Sequence, residues 1–256
     1  RQLLQMISAS VLGLPLCSRL VLAEDNAKSH YRPIPSSGER LPLIGLGTSR
    51  VFEVGTDSAE RQAAGEVLSL LAGVGNAMVD TSPMYGSAEQ VVGDLTRQLG
   101  IRDNLFLATK VWTNGRQQGV AQMNESFRLL NTDRIDLMQV HNLVDVETHL
   151  ATLRAWKAQG RIRYIGVTHY HDGAHAALEQ VMRQQPLDFV QLNYSLAEPE
   201  AETRLLPLAA ERGVAVIVNR PFARGVLFRA TRGKALPDWA AEYGIHSWAQ
   251  FFLKWV

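Results

Sequence analysis

Seven short runs of apolar and β-branched residues begin at positions 43, 77, 105, 135, 163, 189 and 214, at intervals of 34, 28, 30, 28, 26 and 25 residues. Between them lie longer stretches with apolar residues at helical spacing. A strand, a loop, a helix and a second loop together fill roughly 25–35 residues, so the period is that of a βαβ unit. Its repetition calls for a parallel sheet with helices packed outside it. Intervals this regular do not suit a mixed α+β arrangement. Internal strands of a parallel sheet are covered on both faces and read as unbroken apolar runs; Phe106-Leu107-Ala108 and Val214-Ala215-Val216-Ile217-Val218 have that character. Strands are therefore expected over residues 43–48, 77–81, 105–111, 135–141, 163–168, 189–194 and 214–219.

The fold class expected is α/β, a (β/α)8 barrel forming a single domain over residues 24–256, because such barrels reach this length without splitting. A closed barrel takes eight strands, and the runs supply one fewer. The last segment accounts for the shortfall. Ser247 opens a helical pattern with Trp248, Phe251, Phe252 and Trp255 on one face, and it runs to Val256 with no glycine or proline to stop it. The expectation is a chain truncated at its C-terminus, lacking the eighth strand and the closing helices. Before the first strand, residues 32–41 with Ser36-Ser37-Gly38 read as a hairpin that plugs the barrel bottom. Ser87 and Gln90 form a capping-box pattern for a helix with Val91, Leu95 and Leu99 on one face and Gly100 as its stop. Leu150, Leu153 and Trp156 define another face, ended by Gly160. A proline inside a helix costs ~3 kcal/mol, so the helix around Pro207 is expected to start late or bend.

A formal net charge of +1 and the lack of any polybasic run give no electrostatic reason to expect nucleic acid or an acidic membrane as partner. The N-terminus departs from the rest. Arg1-Gln2-Leu3-Leu4-Gln5 precedes a moderately apolar, small-residue stretch over 6–23, which ends Val21-Leu22-Ala23 before Glu24-Asp25. That is the pattern of an export signal over residues 1–23, with small residues at the cleavage site. It resembles a bacterial twin-arginine leader whose first arginine is missing, and so implies a periplasmic enzyme. A disordered or amphipathic arm is the alternative. Leu16 occupies the position where lipid attachment at Cys17 would want a smaller residue. Cleavage after Ala23 would remove Cys17, the only cysteine, leaving no thiol at risk in an oxidising compartment.

The polar residues that interrupt the strand ends carry the chemistry, because barrel sites form at the C-terminal ends of the strands. Those residues are Asp80, Lys110, His141, His169 and Gln191, with Tyr85 in the loop five residues beyond Asp80. A phenol ordinarily ionises near ~10, and a neighbouring ammonium lowers that by favouring the phenolate. Lys110 is placed to do this, and Asp80 to hold Lys110 charged and aimed. His141 then donates a hydrogen bond to a carbonyl oxygen. Such a set is a proton donor beside an oxyanion site, suited to a carbonyl that accepts hydride. No side chain supplies hydride, so a cofactor is implied.

These residues sit in a recognisable frame. Val79-Asp80-Thr81-Ser82-Pro83-Met84-Tyr85-Gly86-Ser87-Ala88-Glu89 resembles the Asp-Thr-(Ala/Ser)-x-x-Tyr-Gly-x-(Ser/Ala)-Glu signature of the aldo-keto reductases. Thr109-Lys110-Val111-Trp112 is similar to that family's lysine strand, and Ile135-Asp136-Leu137-Met138-Gln139-Val140-His141 to its histidine strand. Gly160-Arg161-Ile162-Arg163-Tyr164-Ile165-Gly166-Val167-Thr168 is similar to its Gly-Lys-Ile-Arg-x-Ile-Gly-Val-Ser. Leu43-Ile44-Gly45-Leu46-Gly47-Thr48 and Asn219-Arg220-Pro221-Phe222 resemble its first strand and its cofactor loop.

The resemblance implies an NAD(P)H-dependent reductase of aldehydes or ketones, with NADP(H) as the family's usual cofactor. Tyr85 would be the general acid, Lys110 and Asp80 its tuning pair, and His141 the orienting donor. Thr48 and Asp80 would face the nicotinamide ribose, His169 and Gln191 would hold the carboxamide, and Thr168 would also belong to the cofactor site. Asn219, Arg220, Pro221 and Phe222 would form the cofactor loop, with Arg220 meeting the pyrophosphate. Met84, Trp112 and Phe222 would line the substrate pocket. Two positions depart from the family pattern: His169 replaces the usual Asn, and Asn219 the aromatic that commonly stacks on nicotinamide. Two other readings stay open. One is a cofactor-binding barrel with vestigial catalysis. The other is a metal-dependent hydrolase, since His169-Tyr170-His171 has the spacing of a two-histidine site; no metal is assigned on the reductase reading.

Overall fold

The computed structural model describes residues 30–256; the export-signal reading of residues 1–23 lies outside them. A two-stranded antiparallel hairpin, β1 (Tyr31–Pro33) with β2 (Arg40–Pro42), precedes a seven-stranded parallel sheet. The sheet runs in chain order: β3 (Leu46–Gly47), β4 (Ala77–Asp80), β5 (Leu105–Val111), β6 (Ile135–His141), β7 (Ile162–Thr168), β8 (Phe189–Asn193) and β9 (Ala215–Asn219). Helices α1 (Ser58–Val74), α2 (Ala88–Leu99), α3 (Arg116–Leu129), α4 (Val146–Ala158), α5 (His175–Gln184) and α6 (Leu205–Arg212) each connect one strand to the next. Two short helices, α7 (Val226–Ala230) and α8 (Trp248–Trp255), follow β9. The sheet curls into a nearly closed α/β barrel, with β3 and β9 at its edges.

Period-two alternation divides every strand between two cores. Residues such as Leu107, Met138, Val140, Val167 and Val190 point outward and bury against Leu68, Val91, Leu150, Leu153 and Met182 from the helices. The alternate residues Met78, Phe106, Leu137, Tyr164 and Phe189 fill the barrel interior together with Ile34 and Leu41 from the hairpin. The hairpin is thus a plug, as its sequence implied. Glu39 fastens it, accepting hydrogen bonds from the Tyr164 hydroxyl and from Arg163, whose guanidinium also bonds Asp136. Burial pushes the Glu39 carboxyl up, but hydrogen bonds from Tyr164 and Asn76 and the Arg163 charge outweigh it and hold the group below its ordinary value of 4.5.

Most expected elements form within a residue of their expected limits. The first strand is the exception: only Leu46–Gly47 pairs, although Thr48 extends the ladder by donating its N–H to the Asp80 carbonyl. With one neighbour instead of two, this edge strand leaves Leu43 and Ile44 exposed. The capping box at Ser87 is not made. The helix starts at Ala88 as expected, but the Ser87 hydroxyl accepts from the Gly55 N–H at 2.9 Å instead. Val91 and Leu95 are buried, whereas Leu99 lies in the last turn and is exposed before the left-handed Gly100. Pro207 falls in the first turn of α6, where a missing N–H costs no helical bond. The Ser247 cap forms, accepting from the Gln250 N–H. No helix of the described residues is long and apolar enough to cross a membrane.

Candidate active site

The same alternation that stacks apolar side chains at the barrel bottom raises polar ones at its mouth. Phe106, Ala108 and Lys110 share one face of β5, and Leu137, Gln139 and His141 share one face of β6, with Lys110 paired in register to Gln139. Gly166 on β7 keeps the layer between them open: a Cβ there would lie 2.8 Å from the Phe189 carbonyl oxygen and 3.4 Å from Cγ of Gln139.

Lys110 has no exposed surface. Its Nζ donates to Asp80 Oδ1 at 2.8 Å, to Asp80 Oδ2 at 2.7 Å and to the Thr81 carbonyl at 2.7 Å, which uses all three ammonium hydrogens. Gln139 Nε2 adds a bond to Asp80 Oδ1 at 3.2 Å. Above this pair lies Tyr85, whose ring centre is 5.1 Å from Lys110 Nζ. Burial pushes the Tyr85 phenol up, and it outweighs the pull of the Lys110 ammonium in the other direction. The lowering expected from charge alone is therefore reversed, and the phenol holds its proton firmly.

His141 meets the Tyr85 ring edge-on, with centroids 6.0 Å apart and planes at 88°. Burial and the nearby Lys110 charge push this imidazole down to about 3, so it is neutral at physiological pH. A neutral imidazole has one N–H to give. Its Nδ1 lies 3.1 Å from the Ser82 hydroxyl. Neither Ser82 nor Gln139 was singled out from the sequence. Period two places Gln139 on the face of His141 and was a usable signal; nothing local marks Ser82, whose partner is 59 residues away.

The expected cofactor residues gather around the ends of β3 and β7–β9. The Thr48 hydroxyl donates to the Asp80 carbonyl at 3.1 Å. Thr168 donates to Gln191 Oε1 at 2.9 Å, which leaves the Gln191 amide hydrogens for a ligand. His169 Nδ1 accepts the Tyr170 N–H at 2.9 Å, so its remaining nitrogen Nε2 carries the proton and is a donor. Asn219 Nδ2 donates to the His169 carbonyl, while its Oδ1 is buried with no partner. Two donors and an orphaned acceptor suit a carboxamide, so these residues fit a nicotinamide. Arg220 is engaged within the protein: Nη1 donates to the Tyr170 carbonyl and the guanidinium lies 4.4 Å from the Tyr170 ring centre.

Met84 and Trp112 are exposed near the ends of β4 and β5. Gln122 brackets the Trp112 backbone, accepting its N–H at 2.6 Å and donating to its carbonyl at 3.2 Å. Phe222 packs on Phe228, 4.9 Å between centroids, beside the α7–α8 cluster, and Pro221 precedes it. His169 and His171 meet edge to face, and among the described residues no group of three His, Cys, Asp or Glu side chains is placed to hold a metal.

The sequence profile of the Aldo/keto reductase family matches residues 43–256. The chain belongs to the aldo/keto reductase family. Membership in a family of oxidoreductases displaces the hydrolase reading. Among curated relatives, methylglyoxal reductase YeaE of Escherichia coli is 32% identical over 225 residues, which is 84% of this chain and 77% of that protein. Aldo-keto reductase YhdN of Bacillus subtilis is 29% identical over 212 residues, 77% of this chain; the chain spans only 63% of that relative's length. A Klebsiella pneumoniae aldo-keto reductase solved with NADPH superposes with a TM-score of 0.72 at 28% identity, covering 86% of this chain and 78% of that one. The barrel is thus that of the aldo/keto reductases, with the (β/α)8 frame seen here from β3 to β9.

Proposed function

We propose that this protein reduces an aldehyde or ketone to the alcohol with NADPH as hydride source. The observation that carries the reading is the buried Lys110, fully bonded to Asp80 and Thr81, beneath a protonated Tyr85 and beside a neutral His141. NADPH, when bound, supplies the hydride to the carbonyl carbon. Gln191 and His169 would hold the carboxamide of the nicotinamide, and Asn219 Oδ1 would offer it an acceptor. His141 donates its one N–H to the carbonyl oxygen and orients it. Tyr85 transfers its phenolic proton to that oxygen as negative charge develops, giving a neutral alcohol and a phenolate. Lys110 stabilises the phenolate until solvent returns a proton. Holding the phenol protonated at rest, with a cation beneath it, confines the stabilisation to the step where charge appears.

The Klebsiella relative's bound NADPH and the E. coli relative's reductase name support the cofactor and the carbonyl class. The test is steady-state reduction of a panel of aldehydes, methylglyoxal included, by wild type and Tyr85→Phe. The substitution lowers kcat by ~10²–10⁴-fold, while quenching of tryptophan fluorescence by NADPH persists. A Tyr85→Phe protein as active as wild type would refute the acid role. The small-residue end of the leader, Val21-Leu22-Ala23, supports export to the periplasm, and cell fractionation that finds the enzyme only in the cytoplasm would oppose it.

A further inference from the structure

Ser82 lies within the signature loop but takes no part in the proton transfer. It is fully buried, as is all but a sliver of His141. Its hydroxyl makes two contacts: it accepts the Met84 N–H at 3.4 Å and sits 3.1 Å from His141 Nδ1. A hydroxyl also has a hydrogen to place, and a buried donor left unsatisfied is costly. Among the described residues the Met84 N–H and His141 Nδ1 are the only hydrogen-bond partners of Ser82 Oγ, and the residue is shut off from bulk solvent. The hydrogen therefore goes to Nδ1. An imidazole nitrogen that accepts a hydrogen bond carries no proton, so the single proton of the neutral ring is on Nε2. Nε2 makes no hydrogen bond to the described protein. The opposite assignment, with Nδ1–H donating to Ser82, would strand the hydroxyl hydrogen and leave Nε2 with a lone pair that repels a carbonyl oxygen.

We infer that Ser82 is a positioning residue that locks His141 in the Nε2–H tautomer, so that the ring presents a donor to the substrate carbonyl. The chain of bonds runs from the Met84 N–H through the Ser82 hydroxyl to Nδ1, and its far end is the N–H that the substrate meets. The inference rests on the reading of His141 as the carbonyl's donor, but the tautomer itself is observable without turnover.

The experiment is nitrogen-15 NMR of the full chain labelled at histidine, with the His141 signals assigned by their loss in His141→Gln. The expected wild-type spectrum shows a proton on Nε2 and a bare Nδ1. A proton on Nδ1 in the wild type overturns the inference, whatever the variants do. Ser82→Ala should show exchange between the two tautomers. Its kcat should fall roughly three- to tenfold with KM nearly unchanged, the effect of one lost hydrogen bond. Ser82→Thr, which restores the hydroxyl, should restore the pure Nε2–H spectrum and most of kcat. If Ser82→Ala leaves both the tautomer and kcat as in wild type, the lock is overturned while the reductase reading stands. If the spectra behave as expected but no carbonyl is reduced, the lock is upheld and the reductase reading fails.

Discussion

Replacing Asp80 with Asn tests the electrostatic centre of the site through stability alone. In the native protein Asp80 Oδ1 accepts from Lys110 and Gln139, and Oδ2 accepts from Lys110 at 2.7 Å. The amide oxygen of Asn is best placed at the Oδ1 position, where two donors converge. The amide nitrogen then takes the Oδ2 position and points its hydrogens at an ammonium that has no exposed surface. One charge-assisted bond becomes a donor–donor contact, and the Lys110 charge loses its counterion. Removing one member of a buried pair costs about 3–5 kcal/mol. For a domain of this size each kcal/mol moves the midpoint of melting by roughly 2–4 °C, so the expected drop is roughly 6–20 °C. Urea unfolding should show the same loss as a lower midpoint at an unchanged slope. The double variant Asp80→Asn with Lys110→Met should be more stable than Asp80→Asn alone, because the orphaned charge is gone. A loss below ~1 kcal/mol, the range of an exposed ion pair, would refute the claim that Lys110 is sealed from water and neutralised by Asp80.

Two further outcomes follow from the same geometry. Gly166→Ala drives a methyl to within 2.8 Å of the Phe189 carbonyl oxygen and against Gln139, so urea unfolding should show a loss of ~1–3 kcal/mol; a neutral result would mean that β7 and β8 are further apart than described. His141 protonates near 3 in the fold, against an ordinary value of 6.5. Between those values the unfolded chain binds a proton that the native state does not, so its contribution is whole above pH 6.5 and drains away towards pH 3, by at most about 1.4 kcal/mol per pH unit. His141→Gln should flatten the dependence of urea stability on pH across that window, and an unchanged slope would place the imidazole in water.

The barrel was legible because each strand carries its own period and each helix its own face. The paired cation and carboxylate, the phenol and the imidazole were legible because they interrupt apolar strand ends or sit in a signature loop. What escaped depends on partners remote in the chain. Ser87 has the residues of a capping box, yet its backbone (φ −84°, ψ 2°) is not the extended one of an N-cap, and its hydroxyl goes to Gly55, 32 residues earlier. Ser82 looks like any turn serine until β6 brings His141 beside it. The net ionisation tendency of Tyr85 also depends on remote groups: the sequence names the ammonium that lowers it, but the burial that outweighs it exists only in the assembled barrel. Arg220 rests on the Tyr170 ring, a contact no local pattern announces, since the loop after β7 carries that ring across to it.

The hairpin that closes the barrel bottom has a consequence for how the chain is made. Its clasp joins Glu39 to Tyr164 across 125 positions, and Ser37 to Tyr164 across 127. A ribosome adding ~5–20 residues per second needs roughly 6–25 s to traverse that distance. Throughout that interval the two strands can pair with each other, but Ile34 and Leu41 have no interior to enter. A piece synthesised before the barrel is among the last to be seated, and its apolar residues are ones a chaperone can meet on the nascent protein.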